Sequence, residues 1–98
     1  MASYLVLFGY TAQGMQRIKE SPKRIDASKQ IIRQMGGEVR EFYAILGSPH
    51  DTMIVLEAPN DEAVAKMVLA IGAQGNVRTE THRIFTEEEF KKVVGSLP

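Results

Sequence analysis

The dipeptide His50–Asp51 is the most reactive-looking pair of residues in the chain. An imidazole beside a carboxylate can act as an acid or a base, or can bind a metal ion. Adjacent residues of a strand point to opposite faces, which weakens a direct partnership between the two side chains. The alternative is that Asp51 closes a turn by accepting backbone amides while His50 is a solvated loop residue. With His82 the pair would supply two imidazoles and one carboxylate, but this spacing defines no ligand geometry, and we predict no metal site.

Glu57 is a second candidate because it lies near the end of an otherwise apolar strand, on the face that carries Met53 and Val55. If that face is shielded from water, the carboxylate suits a general base or a partner for a cation. The alternative is a simple ion pair with Arg78 or Arg83. Glu57 and His50 are therefore the candidate catalytic residues.

A ligand cavity around Glu57 would need polar side chains from the neighbouring strands. Strand alternation divides the last strand into one face with Thr79, Thr81 and Arg83 and another with Arg78, Glu80 and His82. We assign the first face to the cavity, because two hydroxyls and a guanidinium would hold a small polar or aromatic acid. The predicted ligand-binding residues are Tyr43, Asp51, Glu57, Thr79, Thr81 and Arg83.

The pattern of apolar residues predicts the elements that position these side chains. Strands are expected over residues 4–8, 38–46, 51–58 and 76–85. Helical segments are expected over 13–20, from an N-cap at Ser21 to Gly36, from Asn60 to Gly72, and from the capping box Thr86–Glu89 to Val94. The order βαββαβ with a C-terminal helix is typical of the ferredoxin-like α+β sandwich, in which two helices cover one face of an antiparallel sheet.

The two central strands of this fold predict self-association. Residues 4–8 and 51–58 are apolar on both faces, which would leave a large apolar surface in water on the side without helices. A second copy packed sheet to sheet would bury that surface, so we expect a homodimer or a higher homo-oligomer. The sequence does not determine which face looks inward. On the second strand, alternation predicts Val39, Tyr43 and Ile45 on one face and Phe42, Ala44 and Leu46 on the other.

Length and composition exclude several classes of function. The chain has 98 residues, 12 basic and 12 acidic side chains and no cysteine. We expect one domain, residues 1–98, without disulfides, thiolate metal centres or thiol nucleophiles. Zero net charge argues against a binder of nucleic-acid backbones, and the basic residues of the helical region are interpreted as a solvated surface: Arg17, Lys19, Lys23, Arg24, Lys29 and Arg33.

Targeting and cofactor motifs are also absent from the sequence. The apolar start of the chain continues into a strand pattern rather than a signal peptide, and no segment is long enough to span a bilayer. A cytoplasmic protein without nucleic-acid or membrane partners is therefore expected. The chain has no glycine-rich phosphate loop, nucleophile elbow or dinucleotide fingerprint, so no cofactor is expected.

A set of motifs runs along nearly the whole chain: the segment 4–10 followed by Thr11, Gln13 and Gly14, then Ser21–Pro22 with Arg24, Gly36–Gly37, Tyr43, the segment 75–79, and Phe85–Thr86. Together these motifs resemble the GYD-domain family of small bacterial proteins. Members of this family are similar to dimeric α+β barrel proteins, which implies the same dimer as the strand pattern. The family has no established activity and so implies no catalytic residues. This chain departs from the family's Gly-x-Tyr-Asp turn, because it has a longer turn from Gly47 to Asp51 in which His50 precedes the aspartate.

Two functional classes remain open from the sequence. The first is a small dimeric barrel protein that binds a small polar or aromatic ligand, with cofactor-free proton transfer or oxidation as the chemistry to test. This reaction rests on analogy with other dimeric barrels alone. The alternative is a non-catalytic oligomerisation or binding module in which Glu57, His50 and His82 are structural.

Overall fold

The computed structural model describes residues 1–47 and 49–98. In chain order its elements are β1 (Ala2–Tyr10), α1 (Ala12–Gln16), a 3-10 turn (Ile18–Glu20), α2 (Ser21–Gln34), β2 (Glu38–Ala44), β3 (Thr52–Ala58), α3 (Asp61–Gly72), β4 (Val77–Ile84) and α4 (Glu87–Gly95). The strands form one antiparallel sheet in the order β2-β3-β1-β4. The predicted ferredoxin-like α+β sandwich with a C-terminal helix is confirmed. In the described part of the chain, no helix is long and apolar enough to cross a membrane.

The core lies between α2, α3 and one face of the sheet, which we call the helix face. Alternate residues of β1 point into it, and Val6 is fully buried. Leu56 of β3, Ile32 of α2 and Met67 of α3 fill the same space with almost no exposed surface. The opposite face, which we call the open face, carries the partly exposed apolar side chains Leu5, Leu7, Met53 and Val55.

A β-bulge in β2 changes which of its residues reach the core. The register shifts between Val39 and Glu41, so Val39 lies opposite Leu56 and Phe42 lies opposite Ile54. Val39 and Phe42 both pack on the helix face, and Tyr43 points to the open face. The prediction that Val39 and Tyr43 share a face is therefore wrong, because the extra residue of a bulge resets the alternation.

The starts of α3 and α4 agree with the sequence, and the N-cap expected for α2 does not. Asn60 caps α3 by accepting the backbone N–H of Ala63 at 2.9 Å. Thr86 and Glu89 form the predicted capping box of α4. Ser21, in contrast, is not the N-cap of α2, because the preceding 3-10 turn runs directly into the helix, and its hydroxyl bonds Tyr10 Oη at 2.6 Å.

The segment after β1 is locked to the loop before β4. Thr11 donates its backbone N–H to Asn76 O at 3.1 Å and its hydroxyl to Gly75 O at 2.6 Å. The side-chain amide of Gln13 donates to Asn76 Oδ1 at 3.0 Å. A Cβ atom at Gly14 would overlap the carbonyl group of Asn76, so the close approach of the two segments requires glycine. This contact joins two of the segments that carry the family resemblance, residues 11–14 and 75–76.

Helix α4 presents apolar side chains to solvent. It has no buried residue, and Phe90 is 58% exposed. Val93, Val94 and Leu97 are also exposed. Residues 90, 93, 94 and 97 have the spacing of one helix face, and such an exposed apolar surface is typical of an interaction surface.

Candidate functional site

The predicted ligand-binding set is divided between the two faces of the sheet. In an antiparallel pair, directly opposed residues point to the same face. Thr81 lies opposite Val6, which places Thr79, Thr81 and Arg83 on the helix face. Tyr43 lies opposite Met53, on the open face, and Glu57 shares that face. The prediction that these residues line one cavity is therefore wrong, and whether any of them binds a ligand stays a prediction.

Glu57 is paired with an arginine that the sequence did not indicate. Arg40 donates to Glu57 Oε1 from Nε at 3.0 Å and from Nη2 at 2.7 Å. The hydrogen bond to this carboxylate raises the pKa of the Arg40 guanidinium above its usual value. The structure thus shows the ion-pair alternative for Glu57, but with Arg40 in place of Arg78 or Arg83. Arg40 lies in the bulge of β2, where the alternation of residues along the strand does not predict which face of the sheet a side chain is on.

Asp51 has a structural role at the turn into β3. Its side-chain Oδ2 accepts the backbone N–H of Tyr10 at 2.8 Å, and its own N–H donates to Phe8 O at 2.8 Å. The backbone N–H of Ile45 donates to Asp51 O at 2.8 Å, which joins β2, β3 and β1 at this end of the sheet. These bonds support the reading of Asp51 as a residue that closes the turn. Within the altered turn, Ser48 lies outside the described residues.

His50 lies near the carboxylate of Glu80, not that of Asp51 as the sequence suggested. Its Nε2 lies 3.6 Å from Glu80 Oε1, and His82 Nε2 lies 2.7 Å from Glu80 Oε2. The hydrogen bond from His82, followed by the charge of His50, lowers the pKa of Glu80 below its usual value. Two imidazoles around one carboxylate can hold and pass a proton. Among residues 1–47 and 49–98, no group of three or more histidines and acidic residues is arranged to hold a metal ion.

The centre of the open face is an apolar patch made of two cross-strand pairs. Leu5 lies opposite Val55, and Leu7 lies opposite Met53. All four side chains are partly exposed. Polar residues flank the patch on both sides, with Glu41 and Tyr43 on β2 and Glu80 and His82 on β4. An apolar centre with a polar rim is the composition of a protein–protein interface.

On the helix face, Arg83 and Thr81 line an open groove against α3. Arg83 lies between two aromatic rings, with its guanidinium carbon 5.7 Å from the centroid of Tyr4 and 4.4 Å from that of Phe85. The Tyr4 hydroxyl donates to Asp61 Oδ1, and this hydrogen bond raises the pKa of the phenol. Asp61 and Arg83, the charged residues of this groove, therefore both contact Tyr4, and Arg83 Nη2 also lies 4.0 Å from Glu89 Oε2.

A separate cavity of about 60 Å³ lies between α2 and the helix face. Its walls are mainly apolar and include Phe8, Ile32 and Ile54. Arg24 and Lys29 of α2 are its charged lining residues. The sequence had placed both among the solvated basic residues, because helical periodicity alone does not show that a cation borders a cavity.

Comparison with known proteins identifies the family. The GYD domain matches residues 4–94 of the chain. A relative from Thermus thermophilus, the glutamine synthetase and cystathionine beta-lyase binding protein, is 33% identical over 82 residues, which cover 83% of this chain and 85% of the relative. The chain belongs to the GYD-domain family. This confirms the resemblance drawn from the motifs between Tyr4 and Thr86.

Solved structures that are similar to this GYD-domain protein support the fold. A 5-chloro-2-hydroxyhydroquinone dehydrochlorinase from Burkholderia phenoliruptrix has a TM-score of 0.63 and 13% identity, and the match covers 88% of this chain and 96% of that one. The leucine response regulatory protein of Mycobacterium tuberculosis has a TM-score of 0.56 and 18% identity, over 87% of this chain and 51% of that one. At this identity the likeness shows the shared fold alone.

Proposed function

We propose that this GYD-domain protein is a self-associating module that binds another protein, and that two copies pack through their open faces. The observation that carries the proposal is the pair of apolar contacts Leu5–Val55 and Leu7–Met53 at the centre of that face. They occupy the two central strands, where a monomer would otherwise keep them in contact with water. Packing against a second copy would remove this surface from water, at roughly 25 cal/mol per Å² of apolar area.

The size of the open face indicates that α4 also takes part. Four strands about 4.8 Å apart, with a rise of about 3.3 Å per residue, present a face of roughly 500 Å². A stable interface needs about 800 Å² from each partner. The exposed apolar side chains Phe90, Val93 and Val94 of α4 would supply the missing area. The proposed interface therefore consists of the open face together with α4.

The partner is proposed from the relative and from the charge of the surface that a dimer leaves free. The relative's name states that it binds glutamine synthetase and cystathionine beta-lyase. In this chain the outer side of the helical layer carries exposed cations, among them Lys19 and Lys23. These residues lie on the side of the sheet opposite the proposed self-contact. We therefore propose an enzyme with an acidic docking surface as the partner.

The direct test uses purified glutamine synthetase and cystathionine beta-lyase from the same organism in a biolayer binding assay. We expect saturable binding to at least one enzyme that weakens as salt is raised, since surface charges are screened. The single variants Lys19→Glu and Lys23→Glu should each bind more weakly, whereas Lys66→Glu on α3 is the matched charge reversal and should bind normally. Absence of binding to both enzymes at about 100 μM would contradict the proposed partner class.

A second function, favoured by the arrangement of His50, Glu80 and His82, is proton transfer to or from a small ligand at the edge of the open face. The Glu80 carboxylate bonds His82 and lies 3.6 Å from His50, so a proton could pass between these groups, as general acid–base catalysis requires. Benzoate and hydroquinone are suitable probes for the predicted small aromatic ligand. In an NMR titration they should shift both histidine ring resonances in wild-type protein and lose this effect in Glu80→Gln. Unchanged histidine resonances at millimolar probe would count against this function.

A further inference from the structure

We infer that the cavity between α2 and the helix face is a binding site for a short-chain aliphatic carboxylate. This site lies on the side of the sheet opposite the proposed self-contact, so it does not depend on the proposed function. The apolar tail of the ligand enters the cavity, and its carboxylate stays at the mouth beside Arg24 and Lys29. The inference rests on the charge, the fixed geometry and the volume of this cavity.

The charge at the mouth is of one sign. The cavity is lined by sixteen residues, of which Arg24 and Lys29 are charged and none is acidic. In the described part of the chain, neither cation has a carboxylate within 4.0 Å, although other basic residues such as Arg40 do. Lys29 instead lies near an aromatic wall residue, with Nζ 5.9 Å from the ring centroid of Phe42. Two cations without an anionic partner beside an apolar cavity favour an anion with an apolar body.

The guanidinium of Arg24 is held in place before any ligand arrives. Its Nη1 donates to Arg17 O at 3.0 Å, and its Nη2 donates to Gly14 O at 3.2 Å. A guanidinium has five N–H donors, so three of them remain for a carboxylate. Gly14 is itself fixed against the loop at Asn76, which also lines the cavity. The anion-binding group is therefore preorganised, which lowers the entropic cost of binding.

The volume limits the ligand to a short chain. At about 60 Å³ the cavity has less than half the volume of an engineered cavity of about 150 Å³ that binds benzene, which indicates a tail of two to four carbon atoms. Its wall includes Ile25, Ile32, Ile54 and Ile71, which offer only dispersion contacts. A ligand with an ammonium group next to its carboxylate, such as valine, would be repelled by the two cations. Isobutyrate and related monocarboxylates fit both requirements.

The eight isoleucines of the chain provide a built-in assay. Ile25, Ile32, Ile54 and Ile71 line the cavity, whereas Ile18, Ile31, Ile45 and Ile84 do not. In protein with labelled isoleucine δ1 methyl groups, sodium isobutyrate should shift the four lining methyls saturably and leave the other four unchanged. Isobutyramide, which has the same shape without the charge, and valine should bind at least fivefold more weakly.

A charge-removing variant and its control complete the test. Lys29→Gln should weaken isobutyrate binding about fivefold, while Lys66→Gln, at an exposed position on α3 outside the cavity lining, should bind as wild type. Equal shifts in all eight isoleucines, or isobutyramide binding as tightly as isobutyrate, would overturn the inference. These readouts use no partner enzyme and no sheet contact, so failure here leaves the proposed protein-binding function to its own experiment.

Discussion

The substitution Gly14→Ala tests the contact that holds α1 against the loop before β4. An added Cβ would overlap the Asn76 carbonyl oxygen and lie 3.0 Å from the carbonyl carbon. Because both partners are backbone, relief requires the two segments to separate, which also stretches the bond from Thr11 N to Asn76 O. Overpacking of this kind costs about 1–3 kcal/mol. With a urea m-value of about 1.3 kcal/mol/M, a loss of 2 kcal/mol lowers the unfolding midpoint by about 1.5 M.

The assay is urea unfolding followed by circular dichroism at one fixed protein concentration, since association stabilises the folded state by mass action. Gly72→Ala is the matched control, because the last residue of α3 has no atom within 4 Å of a new Cβ. Alanine there should leave the free energy of unfolding unchanged or raise it by at most about 1 kcal/mol. If Gly14→Ala unfolds at the wild-type urea concentration, the close approach of Gly14 to Asn76 does not exist as described.

Three further predictions concern single side chains. Tyr4→Phe should lower the free energy of unfolding by about 1.5 kcal/mol, because it removes the bond to Asp61. The pKa of Tyr4 is raised in the folded protein, so the hydrogen bond stabilises the fold at pH values below the usual tyrosine pKa of about 10. This stabilisation is lost as the pH rises through the raised pKa of Tyr4, and absorbance at 295 nm follows the ionisation of the phenol. Thr86→Ala should speed amide hydrogen exchange in α4, because it removes the side chain that caps this helix. In the wild type, the hydrogen bond from Thr86 N lowers the pKa of Glu89, so the cap is formed at neutral pH and weakens as the pH falls through that lowered value. Glu57→Gln should change the unfolding midpoint only slightly, because partly exposed ion pairs contribute about 0–1 kcal/mol.

The sequence predicted the fold well because most elements carry one dominant pattern. Residues 52–58 alternate without interruption, so the facing of Met53, Val55 and Glu57 was correct. The capping box at Thr86 and the cap at Asn60 are short-range signals that tertiary structure did not override.

The candidate site was predicted less well, for two physical reasons. The bulge at Arg40 has no sequence signature, so both the facing of β2 and the partner of Glu57 were missed. β4 is polar on both faces and has apolar residues only at its two ends, Val77 on the helix face and Ile84 on the open face. Alternation therefore could not predict which residues of β4 lie on the helix face, because that is set by the register of β4 against β1.

Self-association through the open face is the central claim, and Val55→Asp tests it most directly. Val55 is the valine to substitute because it lies on the open face, whereas Val6 of the other central strand is buried in the core. Leu69→Asp, at a position that is 70% exposed on α3, is the matched control.

The decisive measurement is sedimentation equilibrium at about 20–100 μM, where a stable interface of this class stays associated. Wild type and Leu69→Asp should sediment at twice the chain mass of 10.9 kDa or a multiple of that. Val55→Asp should sediment as a single chain or unfold. A wild-type protein that stays folded at 10.9 kDa throughout this range, or a Val55→Asp variant that assembles like wild type, would contradict the account.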